Sequence, residues 1–167
     1  MAGNIRMTLV RVKAPATTAN MGPGYDCLGM ALDVWNTIEV EVLDSGEPVV
    51  EVTGEGAGEL GTGRDNLVYR SMEFLFQDAG QEMPLVRIRC DNAIPLARGM
   101  GSSAAAIAGG LVAANAICSQ DYTPNDLLEM AATIEGHPDN VAAAVLGGMQ
   151  LVISDKTEEG SRLYTVP

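Results

Sequence analysis

One stretch of the chain combines glycine, serine and alanine in a pattern that can bind an anion. Residues 95–110 read PLARGMGSSAAAIAGG, so that Gly99, Gly101 and a serine pair lead directly into an alanine-rich segment. Glycine permits backbone conformations with positive φ, which lets N–H groups approach a ligand closely. The first N–H groups of a helix are unpaired and carry partial positive charge. Because the usual biological anion at such a place is a phosphate, the stretch predicts a phosphate-binding loop.

The serine pair at the start of this helix has two uses in proteins. Ser102 or Ser103 can cap the helix, and a hydroxyl that is not needed for capping can bind a magnesium ion. The same pattern is also typical of a tight turn before a small-residue helix that packs closely on a sheet. This stretch alone therefore leaves both a ligand site and a purely structural turn open.

Two further polar segments interrupt an otherwise aliphatic chain. Residues 15–26 read PATTANMGPGYD and predict a loop, and residues 135–148 read EGHPDNVAAAVLGG. Taken singly, their side chains have ordinary structural explanations. Asp26 can close a turn, and the HPDN residues, 137–140, are typical of a loop that enters a helix.

The spacing of apolar residues predicts the elements that hold these three segments. Strands are expected at 7–13, 36–43, 49–53, 85–90 and 149–153, and helices at 66–79, 102–117 and 125–134, with a short apolar segment at 141–146. Strands come first and helices are then mixed with strands, which favours an α+β fold over a doubly wound parallel sheet. Aromatic residues make up only 4% of the chain, so the core should be aliphatic, with the single tryptophan, Trp35, inside it.

Composition limits the partners and the compartment. The formal net charge of −12, with no basic stripe, argues against nucleic acid and against an anionic membrane surface. No apolar stretch is long enough to cross a bilayer. The cysteines, Cys27, Cys90 and Cys118, show no CxxC spacing, so we expect reduced thiols rather than disulfides or a zinc site. Reduced thiols indicate a cytoplasmic protein.

The three polar segments, in this order, resemble those of the homoserine kinases, which belong to the GHMP group of small-molecule kinases. The GPGYD ending at 22–26 and the segment 135–148 carry the resemblance to homoserine kinases, whereas the glycine loop is common to the group. Other members of the group typically have lysine where this chain has Thr17. The resemblance covers residues 11–153 and implies an α+β, two-layer domain, in which helices pack on one side of a mostly antiparallel or mixed sheet.

The resemblance implies that ATP and Mg²⁺ bind at the glycine loop. Ser103 and Glu129 would be the protein ligands of the metal, and Asn66, Leu67 and Val68 would line the adenine pocket. The nucleotide phosphates would be wrapped by Pro95, Leu96, Ala97, Arg98, Gly99, Met100, Gly101, Ser102 and Ser103.

The resemblance also implies that L-homoserine is the phosphate acceptor. Asp139 and Asn140 would be the catalytic pair. Asp139 would either take the proton of the substrate hydroxyl, which requires a distance of about 3 Å, or only orient that hydroxyl. The amino acid would be held by Asn20, Asp26, His137, Asp139 and Asn140.

Kinases of this group are longer than this chain and have a second domain. Residues 1–154 are therefore expected to form the N-terminal ATP-binding domain, and 155–167 to begin the connection to a C-terminal domain missing from the chain. Such a fragment should be poorly active alone, and its uncovered apolar face would favour self-association, for example as a homodimer. Two alternatives stay open: another GHMP kinase that acts on mevalonate or a sugar, and a non-catalytic nucleotide-binding module derived from such a kinase.

Overall fold

A computed structural model describes residues 6–157 and 160–167, which form one six-stranded sheet and four helices. The strand order is β3-β4-β2-β5-β6, with β1 paired to β2 as well, and every pairing is antiparallel except that of β3 with β4. This confirms the predicted α+β fold with a mostly antiparallel sheet. In chain order the elements are β1 (Leu9–Met21), β2 (Gly24–Val42), β3 (Val49–Gly54), α1 (Leu67–Asp78), β4 (Val86–Asn92), α2 (Ser102–Ile117), α3 (Pro124–Glu135), α4 (Asp139–Leu146), β5 (Met149–Thr157) and β6 (Gly160–Val166).

The first polar segment is the tip of a long β-hairpin, so the prediction of a loop over 15–26 is wrong. β1 and β2 pair antiparallel along almost their whole length, up to Met21 opposite Gly24. Proline and glycine in the segment favoured a loop. Pro15, however, lies at an irregularity of the register, where a strand tolerates a residue without an N–H group.

The central strand β2 brings the hairpin tip and α4 together. Its residues 37–42 pair with β4, whereas Leu28–Met30 pair with β5. Gly29 lies directly against the start of α4, because a Cβ at this position would be 2.1 Å from the carbonyl oxygen of Asp139. Glycine at this position therefore lets the start of α4, in the third polar segment, pack directly on β2 just after the first polar segment.

The helices that contact the sheet pack on one face, and the opposite face carries paired charges. α2 and α4 contact β1 and β2. Across the other face, Glu39 accepts from both Arg11 and Arg89, and these hydrogen bonds hold the pKa of Glu39 below its usual value. An ion-paired face of this kind is solvated, and the fold is therefore the predicted two-layer arrangement.

The core is aliphatic, as expected, but Trp35 is not part of it. The largest fully buried side chains are those of Ile, Leu, Met and Val residues, which, apart from Ile94, come from the sheet and from α1–α3. Trp35 is 44% exposed and donates its indole N–H to Asp33 Oδ1 at 2.6 Å. It lies opposite Pro15 at the register irregularity.

The helices α1, α2 and α3 begin and end within two residues of the predicted positions. The third polar segment differs, because α4 begins at Asp139 and therefore places Asp139 and Asn140 in a first helical turn rather than in a loop. Of the helices that the structure describes, none is both long and apolar enough to span a membrane.

The polar residues after Ser154 continue the sheet instead of leaving it. β5 extends to Thr157, four residues beyond the predicted end, and pairs antiparallel with β6. Alternation of apolar and polar residues is weak here, so the local sequence did not indicate a strand. The pairing carries the sheet as far as Val166.

We expect one of the three cysteines, Cys27, to react rapidly with a thiol reagent. Cys90 and Cys118 are buried, whereas Cys27 is partly exposed. Burial raises the pKa of Cys90 to about 11, so on the order of one Cys90 thiol in a thousand is ionised at pH 8. Ellman's reagent at pH 8 should titrate one thiol quickly and the other two after denaturation. Rapid reaction of all three native thiols would contradict this packing.

Candidate active site

A cavity of about 620 Å³ lies where the starts of α1 and α2 meet the hairpin tip and the start of α4. Its volume is typical of a small-molecule site. Every residue of the glycine loop 95–103 lines it, together with predicted residues from the other segments: Asn20, Asn66, Leu67, Val68, His137 and Asn140. Three stretches that are far apart in the chain thus share one concave surface.

The glycine loop alternates between positive and negative φ along the wall of this cavity. Positive φ angles recur at alternate residues, 53° at Ala97, 70° at Gly99 and 63° at Gly101. Alternation of left-handed and right-handed residues points successive N–H groups to one centre, which creates an anion-binding concavity. The loop therefore has a backbone pattern that suits the predicted phosphate site.

Neither serine caps α2, contrary to one of the two predicted uses. The N-cap is Gly101, in a left-handed conformation and without a side-chain cap, and Ser102 and Ser103 are the first helical residues. The N–H groups of the first turn therefore keep their partial positive charge for a ligand. Because neither hydroxyl caps the helix, metal binding stays as the second predicted use of the pair.

The carboxylate next to Ser103 belongs to Glu135, not to Glu129. Ser103 Oγ donates to Glu135 Oε1 at 2.6 Å. Glu129 lies six residues earlier in α3, a separation that at about 100° per residue turns it to a different face of the helix. It lines a second cavity, beside Asp126 and Thr133. The geometry therefore favours Glu135 as the carboxylate beside Ser103, and the role of Glu129 as a metal ligand stays a prediction.

Ser103 and Glu135 suit a magnesium ion. Hydroxyl and carboxylate oxygens are the hard ligands that Mg²⁺ prefers, and this ion usually takes one or two protein ligands and completes its shell with phosphate and water. No cluster of three or more His, Cys, Asp and Glu side chains that could hold a metal occurs in the described part of the chain. Two oxygen ligands from the chain therefore fit an Mg²⁺ ion that also binds nucleotide phosphates.

The start of α1 forms the apolar end of the cavity. Asn66 caps the helix, because its Oδ1 accepts from the Val68 N–H at 2.9 Å, and its Nδ2 donates to the Gly61 carbonyl at 2.8 Å. Both the oxygen and the nitrogen of the Asn66 amide are therefore hydrogen-bonded to backbone groups that form this end of the cavity. Aliphatic side chains, including those of Val52 and Leu60, line the same end. A flat apolar group such as a nucleobase suits this environment.

The hairpin tip contributes Asn20, while Asp26 stands outside the cavity. The N–H of Asp26 donates to Asn20 Oδ1 at 3.1 Å. Both residues have positive φ, 58° and 57°, which is uncommon for residues other than glycine and is concentrated at functional sites. The Asp26 side chain is exposed and does not line the cavity. The structure thus brings one of the two predicted residues of this segment to the site.

In the third segment, His137 and Asn140 face the cavity and Asp139 lies behind them. Asp139 is 1% exposed. Its Oδ1 accepts from the Asn140 N–H at 2.7 Å and lies 3.2 Å from Nδ1 of His137. The carboxylate is therefore used to hold the two neighbouring residues.

Asn36 is a further site residue that sequence reasoning missed. It is buried, and its Oδ1 accepts from the N–H groups of Ala93 and Ile94, at 2.9 and 3.0 Å, just before the glycine loop. The sequence of β2 could have indicated this residue, because Asn36 lies in the same core-facing row of the strand as Ile38 and Val40. A polar residue in that row must find a buried partner.

Comparison with known proteins shows which family the chain resembles. The family described as GHMP kinases N terminal domain matches residues 66–148, from the start of α1 to the end of the third polar segment. The solved structure of mevalonate kinase from Methanococcus jannaschii, with a TM-score of 0.70 and 15% identity over 87% of this chain and 53% of that chain, shows the shared fold alone. The chain belongs to the GHMP kinases.

Within that family, the chain is related to homoserine kinases. The homoserine kinase of Synechocystis sp. is 46% identical over 153 residues, which are 89% of this chain and 49% of that protein. The crystal structure of homoserine kinase from Cytophaga hutchinsonii has a TM-score of 0.79 and 28% identity, over 100% of this chain and 54% of that chain. The chain thus spans about half the length of the relatives that it matches.

Proposed function

We propose that this chain is the nucleotide-binding half of a homoserine kinase, which transfers the γ-phosphate of ATP to the side-chain hydroxyl of L-homoserine. The product would be O-phospho-L-homoserine, an intermediate on the way to threonine. The observation that carries the proposal is the single cavity in which the glycine loop, the Ser103–Glu135 pair, Asn20, His137 and Asn140 meet. Related homoserine kinases of 41–50% identity support the choice of substrate.

Phosphoryl transfer needs positioning and stabilisation of charge rather than covalent chemistry by the protein. The N–H groups of the glycine loop and of the first turn of α2 would bind the phosphate oxygens. Ser103 and Glu135 would hold Mg²⁺, which neutralises negative charge on the phosphates when it is bound. Asn66, Leu67 and Val68 would enclose the adenine.

The acceptor would bind at the opposite end of the cavity. Asn20, His137 and Asn140 offer donors and acceptors for an amino acid that carries a hydroxyl. Because the Asp139 carboxylate is buried and bonded to its neighbours, we propose that it orients His137 and Asn140 rather than taking the proton of the substrate hydroxyl. Asp26 would act through Asn20.

Several broader expectations belong to the same proposal. ATP and L-homoserine would be the small-molecule partners, the compartment would be the cytoplasm, and a homodimer stays a prediction. The division into a domain at 1–154 and a connection at 155–167 also stays a prediction. Pairing of β6 with β5 supports moving that boundary beyond Val166.

A panel of acceptors tests the proposal. Residues 1–167, alone and with any polypeptide that the gene encodes downstream, are incubated with MgATP and homoserine, mevalonate or galactose, and ADP and phosphorus NMR signals are measured. We expect homoserine-dependent ADP and a new phosphomonoester in the longer protein, with little turnover by 1–167 alone. Faster transfer to mevalonate or galactose would favour a different GHMP kinase. Nucleotide binding without transfer to any acceptor would favour a non-catalytic module.

A further inference from the structure

Thr17 is a buried polar residue that the proposed chemistry does not use directly. Its exposed fraction is 0%, and it lies in the middle of β1 beside the buried Ala16. Valine would fill the same space in a strand without a hydroxyl to satisfy. The hydroxyl must therefore have a specific partner.

The contacts of Thr17 join all three polar segments. Thr17 Oγ1 donates to Asn140 Oδ1 at 2.8 Å, and the Thr17 N–H donates to the Met100 carbonyl at 3.0 Å. The glycine loop also lies directly on the hydroxyl, since a Cβ at Gly101 would be 1.9 Å from Thr17 Oγ1. One residue of the hairpin thus fixes both the phosphate loop and the start of α4.

The hydrogen bond to Asn140 determines which end of its amide is available. Oδ1 is taken by the Thr17 hydroxyl, and the Asn140 side chain lines the cavity. Nδ2, which carries two N–H donors, is then the polar end that remains for a ligand. Donors held in place before reaction stabilise the negative charge of a transferring phosphoryl group, because they need no reorganisation.

We propose that Thr17 is a positioning residue. Its hydroxyl holds the Asn140 amide so that the N–H donors of that amide face the transferring phosphoryl group, and its backbone N–H holds the glycine loop beside the amide. This inference rests on the proposed function. Thr17 does not line the cavity, so the effect of its hydroxyl on a ligand must pass through Asn140, whereas the loop is held by the Thr17 backbone N–H, which Thr17→Val keeps.

Substitutions at Thr17 separate the hydroxyl from the packing. Thr17→Val keeps the shape and removes the hydroxyl, Thr17→Ser keeps the hydroxyl, and Thr18→Val makes the same change at the next residue of β1, whose side chain points to the other face. The probe is the non-hydrolysable analogue MgAMPPNP, titrated into residues 1–167. The Asn140 side-chain NH₂ signals, assigned by their loss in Asn140→Ala, are followed by nitrogen-15 NMR.

We expect Thr17→Val to weaken MgAMPPNP binding roughly tenfold and to shift the Asn140 NH₂ signals, while Thr17→Ser and Thr18→Val stay within about twofold of the wild type. In an Asn140→Ala background, Thr17→Val should change the affinity by less than about twofold. An unchanged affinity in Thr17→Val, or the same tenfold loss in the Asn140→Ala background, would overturn the inference.

This design distinguishes failure of the proposed function from failure of the proposed role of Thr17. If wild-type protein does not bind MgAMPPNP, the proposed function fails, whereas the Asn140 NH₂ signals still report whether the Thr17 hydroxyl orients the amide. If Thr17→Val does not fold, Thr17→Ala and Thr17→Ser are compared by the same signals. Equal Asn140 signals in that pair would also overturn the inference.

Discussion

Replacing Gly101 with alanine should weaken nucleotide binding by on the order of 100-fold or more, whereas the same change at Gly99 should weaken it only modestly. Both glycines have positive φ, 63° and 70°, so alanine meets a backbone cost of about 1 kcal/mol at either position. The surroundings differ. A Cβ at Gly101 would lie 1.9 Å from Thr17 Oγ1, but a Cβ at Gly99 meets nothing within 4 Å.

The overlap at Gly101 cannot be relieved without moving the loop. Thr17 is fully buried in β1, so the start of α2 must shift by roughly an ångström, and such a misplacement of binding groups costs on the order of 100-fold. Isothermal titration with MgAMPPNP should show at least that loss for Gly101→Ala and less than about tenfold for Gly99→Ala. Equal affinities of the two variants would show that the contact with Thr17 does not set the position of the loop.

Replacing Glu135 with glutamine should remove the contribution of magnesium to nucleotide binding. Glu135 is the carboxylate that contacts Ser103, and glutamine keeps its size while it removes the charge that attracts Mg²⁺. We expect roughly tenfold weaker binding of ATP in the presence of Mg²⁺. Binding measured with EDTA should be unchanged or slightly stronger, because a negative group beside the phosphates is lost.

Glu129→Gln is the matched control for this experiment. Glu129 lies in the same helix but lines the second cavity, so its variant should bind MgATP with wild-type affinity. Thermal unfolding with and without MgATP provides a second measurement, in which Glu135→Gln and Ser103→Ala lose nucleotide protection and Glu129→Gln keeps it. Loss of protection in Glu129→Gln alone would restore the metal ligand implied by the sequence resemblance.

The comparison of Glu129 with Glu135 shows what the sequence could and could not predict about the site. The residues of the third segment were all visible in the sequence, and Glu135 is the first of them. The resemblance implied Glu129 by its spacing from His137, but spacing along the chain does not reveal which face of α3 points at Ser103. That information depends on how α3 packs beside α2, which only the three-dimensional structure provides.

The fold was predictable where local chemistry and tertiary packing agree. α2 begins and ends at the predicted residues, because glycine ends the loop and small residues continue the helix. The hairpin was missed because Pro15 and the glycines near Pro23 favour a loop locally, while pairing with β2 extends the strand to Met21. The roles of Thr17 and Asn36 depend on hydrogen bonds to residues that are distant in the chain, and the local sequence does not show these contacts.

In the proposed function, three distant segments of the chain meet around MgATP. The most direct test is a titration of nitrogen-15-labelled 1–167 with MgATP, followed through the backbone amides. We expect the largest shifts in residues 97–103 and at the start of α1, with changes at Asn140 and Asn20 as well. Shifts confined to the second cavity around Asp126, or no shifts at roughly 10 mM nucleotide, would contradict it.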